Sequence, residues 1–179
     1  MIKSILIALG VIVVAFVIVV AVRPAEYRVV RSATVSAPPA LVFEQVNDLH
    51  KFQAWSPWAK LDPTAKTTFE GPASGTDAVF AWAGNRKVGE GRMTIVESRP
   101  DEAIRMRLDF VKPFAGTSTA AFSFRPAGDH TMVTWSMAGR HNFVGKAIGL
   151  FMNMDKMIGG MFEQGLANLN AVVQAAARK

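Results

Sequence analysis

The chain has 179 residues, of which 50% are hydrophobic and 19% charged, with a mean hydropathy of +0.22; it is too apolar for a disordered tail and too short for more than one ordinary domain with an appendage. The absence of cysteine excludes disulfides, thiolate metal sites, a cysteine nucleophile and dithiol redox chemistry, and leaves the compartment open. Of the 20 basic residues Lys3 and Arg23 belong to the N-terminal segment, so the remainder sets 18 against 14 acidic residues, dispersed and without a basic run, which argues against nucleic acid as a partner.

Residues 4–22 carry no charge and consist of Ile, Leu, Val, Ala and Phe with one Gly and one Ser. At about 1.5 Å per residue a helix of that length reaches roughly 28 Å, close to the ~30 Å hydrocarbon core of a bilayer. Met1, Ile2 and Lys3 would also suit the start of a secretory signal, but the apolar run exceeds the usual signal length, and Arg23 and Pro24 stand where a peptidase prefers small residues. The expectation is an uncleaved single-pass anchor over 1–23, a linker at 24–26 and a domain over 27–179. Lys3 favours a cytoplasmic start, Arg23, Arg28 and Arg31 favour the reverse, and the short N-terminal region tips the domain to the outside of the cytoplasm.

Residues 27–35 are rich in β-branched side chains and predict a strand. Ser36 as an N-cap, with Pro38 and Pro39 in the first turn, predicts a short helix over 39–47, with Leu41, Val42, Phe43 and Val46 at helical spacing. Leu49, Phe52, Trp55 and Trp58 give a second short helix that Pro57 interrupts. Six alternating runs follow at 66–70, 77–83, 87–97, 103–110, 117–125 and 131–139, separated by Gly, Pro, Asn and Asp. Short connections make them an antiparallel meander. Ile104, Met106, Leu108 and Phe110 share one face, as do Phe122 with Phe124, and Val133 with Trp135 and Met137, so one face of the sheet is apolar and needs a cover. Apolar residues from Ile148 to Val173 recur at helical spacing and predict a long helix to supply it.

This order resembles the SRPBCC superfamily, the START-like and birch-pollen-allergen-like domains labelled polyketide cyclase/dehydrase and lipid transport. The carriers are SAPPALVF at 36–43, FQAWSPW at 52–58, GEGRMTI at 89–95, SRP at 98–100 and FEQGLANL at 162–169, and the resemblance covers about 27–175. It implies an α+β helix-grip fold, a curved antiparallel sheet wrapped on a long C-terminal helix, to which the N-terminal transmembrane helix is an addition. It also implies a cavity for an apolar or amphipathic small molecule. Relatives include carriers, cyclases and chaperone activators, so the fold does not choose among binding, catalysis and protein interaction.

The histidines bring no partner at catalytic or metal spacing: His50 lies between the short helices, His130 in a hairpin and His141 after the last strand. Gly89-Glu90-Gly91 lacks the third glycine and the lysine of a phosphate loop and reads as a curved strand segment. Met152, Met154, Met157 and Met161, interspersed with Gly149, Gly159 and Gly160, make 143–161 either a movable lid or an adaptable core contact. As a lid, it could bring Phe143, Ile148, Leu150 and Phe151 to lipid. The expected ligand-binding residues are Trp82, Phe110, Phe122, Trp135, Met154, Ile158 and Met161; no catalytic residue, metal or cofactor is assigned. The expected function is membrane-tethered binding or transfer of a lipid-like molecule, with a cyclase/dehydratase-like enzyme or a protein-interaction module as alternatives.

Overall fold

The computed structural model describes residues 2–177. A long helix, α1 (Ile2–Val22), precedes strand β1 (Glu26–Val35), helices α2 (Pro39–Asn47) and α3 (Leu49–Trp55) and a 3-10 turn (Pro57–Lys60). Six more strands follow: β2 (Lys66–Glu70), β3 (Val79–Ala83), β4 (Glu90–Arg99), β5 (Ala103–Lys112), β6 (Gly116–Ala127) and β7 (His130–Arg140). The chain ends with α4 (Phe143–Ile148) and α5 (Met154–Ala177). All strand pairs are antiparallel, in the order β1-β7-β6-β5-β4-β3-β2, so the meander runs unbroken from β2 to β7 and β1 adds beside its last strand. The seven-stranded sheet and C-terminal helix are the expected helix-grip architecture.

Three local features depart from the sequence reading. Pro38, not Ser36, is the N-cap of α2, without a side-chain hydrogen bond, and the Ser36 amide instead donates to Asn170 Oδ1 of α5 at 2.8 Å. Gly89 precedes β4 rather than lying in it and takes φ +67°, which glycine adopts without the strain of a Cβ. The single long C-terminal helix is broken at 149–153. Asn142 caps α4 by accepting from the Gly145 amide at 2.8 Å, and Asn153 accepts from the Lys156 amide at 2.9 Å as α5 begins.

Alternation places most apolar residues of β1 and β3 to β7 on the concave face, leaving Val30, Val111 and Met132 exposed on the other, and the register aligns the inward ones in rows across the sheet. One row runs from Arg31 through Trp135 and Phe122 to Ile104 on β5, and the row beside it runs from Ala33 through Val133 to Phe124. α5 packs chiefly along β1 and also touches α2, α3 and the 3-10 turn. Its C-terminal half is sealed, with Phe162, Leu166, Leu169 and Val173 buried. The N-terminal half is not: Met157 is exposed, and Met154, Ile158 and Met161 are half-buried.

Candidate functional site

The concave face has two ends of different character. Trp135 centres the closed end: its ring stacks on Phe162 at 4.1 Å and on Phe122 at 4.8 Å, and meets Trp55 and Trp58 edge-on at 5.6 and 5.7 Å. Gly165 is what lets α5 lie this close, since a Cβ there would stand 2.7 Å from the indole. Trp135 is 3% exposed, and its Nε1 is buried without a hydrogen-bond partner. This part of the interior is filled with aromatic rings. Helix α3 holds its side of the packing through Trp55 Nε1, which donates to the Gln45 carbonyl, and through Asn168 Nδ2, which donates to the Trp55 carbonyl, both at 3.0 Å.

The open end is built on β3 to β6. Trp82 and Phe110 meet edge-on at 6.2 Å, and Phe80 stacks on Trp82 at 5.8 Å. Trp82 sits over Gly91, where a Cβ would come within 2.6 Å of its ring, and its Nε1 donates to the Val88 carbonyl at 3.0 Å. These residues lie on the same face as buried Met93 and Met106, the core-facing side, yet Trp82, Leu108 and Phe110 remain only half-buried. On the same rows lies a polar pair, Tyr27 and Ser118, whose hydroxyls share a hydrogen bond of 2.8 Å across Gly139. His141 stacks on the Tyr27 ring with 4.4 Å between centroids, and partial burial holds its imidazole below the ordinary value of 6.5.

Between the joint at Arg23 and Pro24, the start of β1, α4 and the α4–α5 loop opens a cleft of about 590 Å³, lined by Tyr27, His141, Leu150, Phe151, Met152 and Met154 among others. The α5 side of this region is fixed by Arg31. That side chain shares its row with Trp135 and reaches across α5, donating to Asp155 Oδ2 at 2.9 Å, the Asp155 carbonyl at 3.1 Å and Glu163 Oε1 at 2.7 Å. Gly159, halfway between the two acids, is the gap it lies in: a Cβ there would overlap the guanidinium. Hydrogen bonds from Arg31 hold the Asp155 carboxyl below its ordinary range, and the two acids raise the guanidinium above its own.

Of the residues expected to bind ligand, Phe122 and Trp135 therefore stand in the closed end, Trp82 and Phe110 in the open end, Ile158 and Met161 on the half-buried part of α5, and Met154 in the cleft. The sequence reading missed Arg31 and the Tyr27, Ser118 and His141 group. Arg31 looks like an outward polar residue of a strand, and only the acid-x3-Gly-x3-acid spacing of Asp155, Gly159 and Glu163 hinted at a basic side chain lying across the helix. His50 stacks on Phe69 and His130 contacts Asp129 in its hairpin. Among the described residues, no three His, Asp or Glu side chains are grouped to hold a metal ion.

The fold is shared widely. The chain is similar to protein CV1439 from Chromobacterium violaceum, with 17% identity, 84% of this chain and 98% of that one covered and a TM-score of 0.57. It is similar to Ara h 8.0201 at 11% identity, with 84% and 99% covered and a TM-score of 0.57. To the di-domain ARO/CYC StfQ of the steffimycin biosynthetic pathway it is 10% identical, with 87% of this chain and 53% of that one covered and a TM-score of 0.61. No curated protein matches the sequence. The family model for polyketide cyclase / dehydrase and lipid transport matches residues 26–174, which take in β1 to β7, α4 and most of α5, and the chain belongs to that family.

Proposed function

We propose that this protein binds a hydrophobic or amphipathic, lipid-like small molecule at the open end of its concave face, while α1 holds the domain to a membrane as a single-pass anchor. The observation that supports the reading is the incomplete cover of a core-facing surface: Trp82, Leu108 and Phe110 share a face with buried Phe80, Met93 and Met106 yet keep access to solvent. Each large side chain left half-covered forgoes part of the 1.5–3 kcal/mol that full burial contributes, on the order of 25 cal/mol per Å², and a ligand that completes the cover recovers it. In this reading Ile158 and Met161 of α5 and Met154 at the cleft contribute to the binding surface, with Phe122 and Trp135 forming the packed wall behind. Tyr27, Ser118 and His141 supply the polar groups that orient an amphipathic molecule. Helix α1, with 21 residues, is long and apolar enough to span a bilayer.

The aromatic packing around Trp135 favours a second reading for that end alone, since a filled interior is all that a protein-interaction module needs. Titrating the full chain in detergent with an environment-sensitive fluorescent fatty acid separates the two. Ligand binding predicts saturable enhancement that weakens about tenfold in Trp82→Ala, a loss of roughly 1.4 kcal/mol. Non-saturable partitioning, identical in both proteins, would refute it.

A further inference from the structure

The anchor helix does not end in a loose tether. Val20, in the last turn of α1, is completely buried, and α1 packs on α4. Lys146 Nζ of α4 donates to the Ala21 and Arg23 carbonyls at 2.8 and 2.9 Å, capping the end of α1 where its unpaired carbonyls carry partial negative charge. Arg23 returns the contact by donating to the Gly149 carbonyl at 3.2 Å, and the His141 amide donates to the Ala25 carbonyl at 2.8 Å. From Val20 to Arg23 is about 4.5 Å of helix rise, so α4 overlaps the end of the apolar run instead of hanging below it.

The side chains beside this junction are apolar and unpaired with the rest of the domain. Phe143 and Val144 of α4 are nearly half exposed, and Met152 in the loop likewise; Phe151 is 82% exposed. Around them stand Arg23, Arg140, Lys146 and, in the first turn of α5, Lys156, against two carboxylates: Glu26, in register with Arg140, and Asp155, already bound to Arg31. Apolar side chains at the level of the helix exit, ringed by cations, match the two layers of an anionic membrane interface, acyl chains and then phosphates.

We infer that α4 and the α4–α5 loop form an interfacial membrane element, inserting Phe143, Val144, Phe151 and Met152 beside α1 into an anionic lipid surface. This rests on α1 being membrane-spanning. It adds that the domain is held in one orientation, with the cleft beside Tyr27 and His141 opening at headgroup depth, where a lipid can enter without crossing water.

The cysteine-free sequence allows single spin labels at Phe143→Cys and Phe151→Cys in the full chain, reconstituted in bilayers of phosphatidylcholine with phosphatidylglycerol. Labels at Val13→Cys in mid-helix, Val22→Cys at the helix end and Asp129→Cys in the distant β6–β7 hairpin calibrate depth. The inference predicts that collisions with oxygen relative to an aqueous nickel chelate at 143 and 151 match those at 22, and drop toward the value at 129 when phosphatidylglycerol is omitted or in Arg140→Gln/Lys156→Gln. A lipid-buried label at 13 with aqueous labels at 143 and 151 would overturn the interfacial element while leaving the anchor standing. An aqueous label at 13 would overturn both. Labels at 143 and 151 that broaden one another between chains, without oxygen access, would make the surface a contact between copies and overturn the lipid assignment.

Discussion

The two halves of α5 share one helix but not one environment. The C-terminal half places Phe162, Leu166, Leu169 and Val173 against the sheet with almost no exposure, and Gly165 brings it within contact of Trp135. The N-terminal half covers its part of the sheet loosely: Met154, Ile158 and Met161 are half-buried, Met157 is exposed, and Gly159 and Gly160 weaken the helix by about 1 kcal/mol each relative to alanine. What holds it is polar and lies at the sheet edge, the ion pairs of Arg31 with Asp155 and Glu163. A helix seated on rings at one end and latched by charges at the other can loosen at the latch while its seat stays intact. Under the proposed binding function, stability and ligand access fall to different residues.

The largest effect is expected where the packing is densest. Trp135→Ala removes the ring at the centre of the closed end and should lower stability by about 3–5 kcal/mol, read from urea unfolding of the full chain in detergent. Trp135→Phe should cost much less, because the indole N–H it removes has no partner to lose. If both variants cost the same, ring contacts are not what the closed end depends on.

Trp82→Ala should separate ligand binding from stability. The side chain is half-buried and borders the open end, so the stability loss should be less than half that of Trp135→Ala, while affinity for an apolar probe falls about tenfold. A Trp82 variant that binds normally but unfolds easily would make the open end ordinary core.

Gly159→Ala sharpens the contrast at the latch. The added methyl displaces the Arg31 guanidinium, and alanine returns about 1 kcal/mol of helix propensity, so global stability should change little. Hydrogen exchange should nevertheless speed up in the first two turns of α5 and stay unchanged near Phe162. Equal protection in both halves would show that the latch holds nothing.

A smaller effect follows pH at the cleft. Burial lowers the folded-state His141 pKa below 6.5, so the unfolded chain takes up its proton first as pH falls. The contribution of His141 is complete above about 6.5 and declines as pH drops from there to its lowered folded value; below that both states are protonated and no further loss comes from this group. The latch responds lower still. Arg31 depresses the Asp155 pKa, so its contribution is present above the ordinary carboxylate value of 3.8 and is lost as pH falls through the depressed one. Hydrogen exchange of α4 at pH 7.5 and 5.5 tests the first: protection, taken relative to the intrinsic exchange rate at each pH, should be lower at pH 5.5 in the wild type, and the difference should vanish in His141→Phe.

How far the sequence carried the account depended on whether a feature was local. The strands of the meander announce themselves through period-2 alternation between Gly- and Pro-rich turns, and the span of helix α2 follows from its prolines and apolar spacing although its cap is Pro38 and not Ser36. The break between α4 and α5 was masked because apolar residues continue through it; the caps at Asn142 and Asn153 were its available signal. Arg31, Tyr27, Ser118 and His141 escaped because their partners lie 91 to 132 residues away in sequence for the first three, across pairings that alternation cannot name. The aromatic residues were recognised as a group, but their division between the filled and the open end depends on which strands α5 covers, a property of the assembled sheet.

The central claim is that the open end holds a lipid-like molecule. Native mass spectrometry of the full chain, released from mild detergent after purification from membranes, tests it most directly. The account predicts one retained adduct of lipid mass per chain, diminished in Trp82→Ala and preserved in Trp135→Phe. A chain that flies bare in all three proteins, while remaining folded by ion mobility, would contradict it.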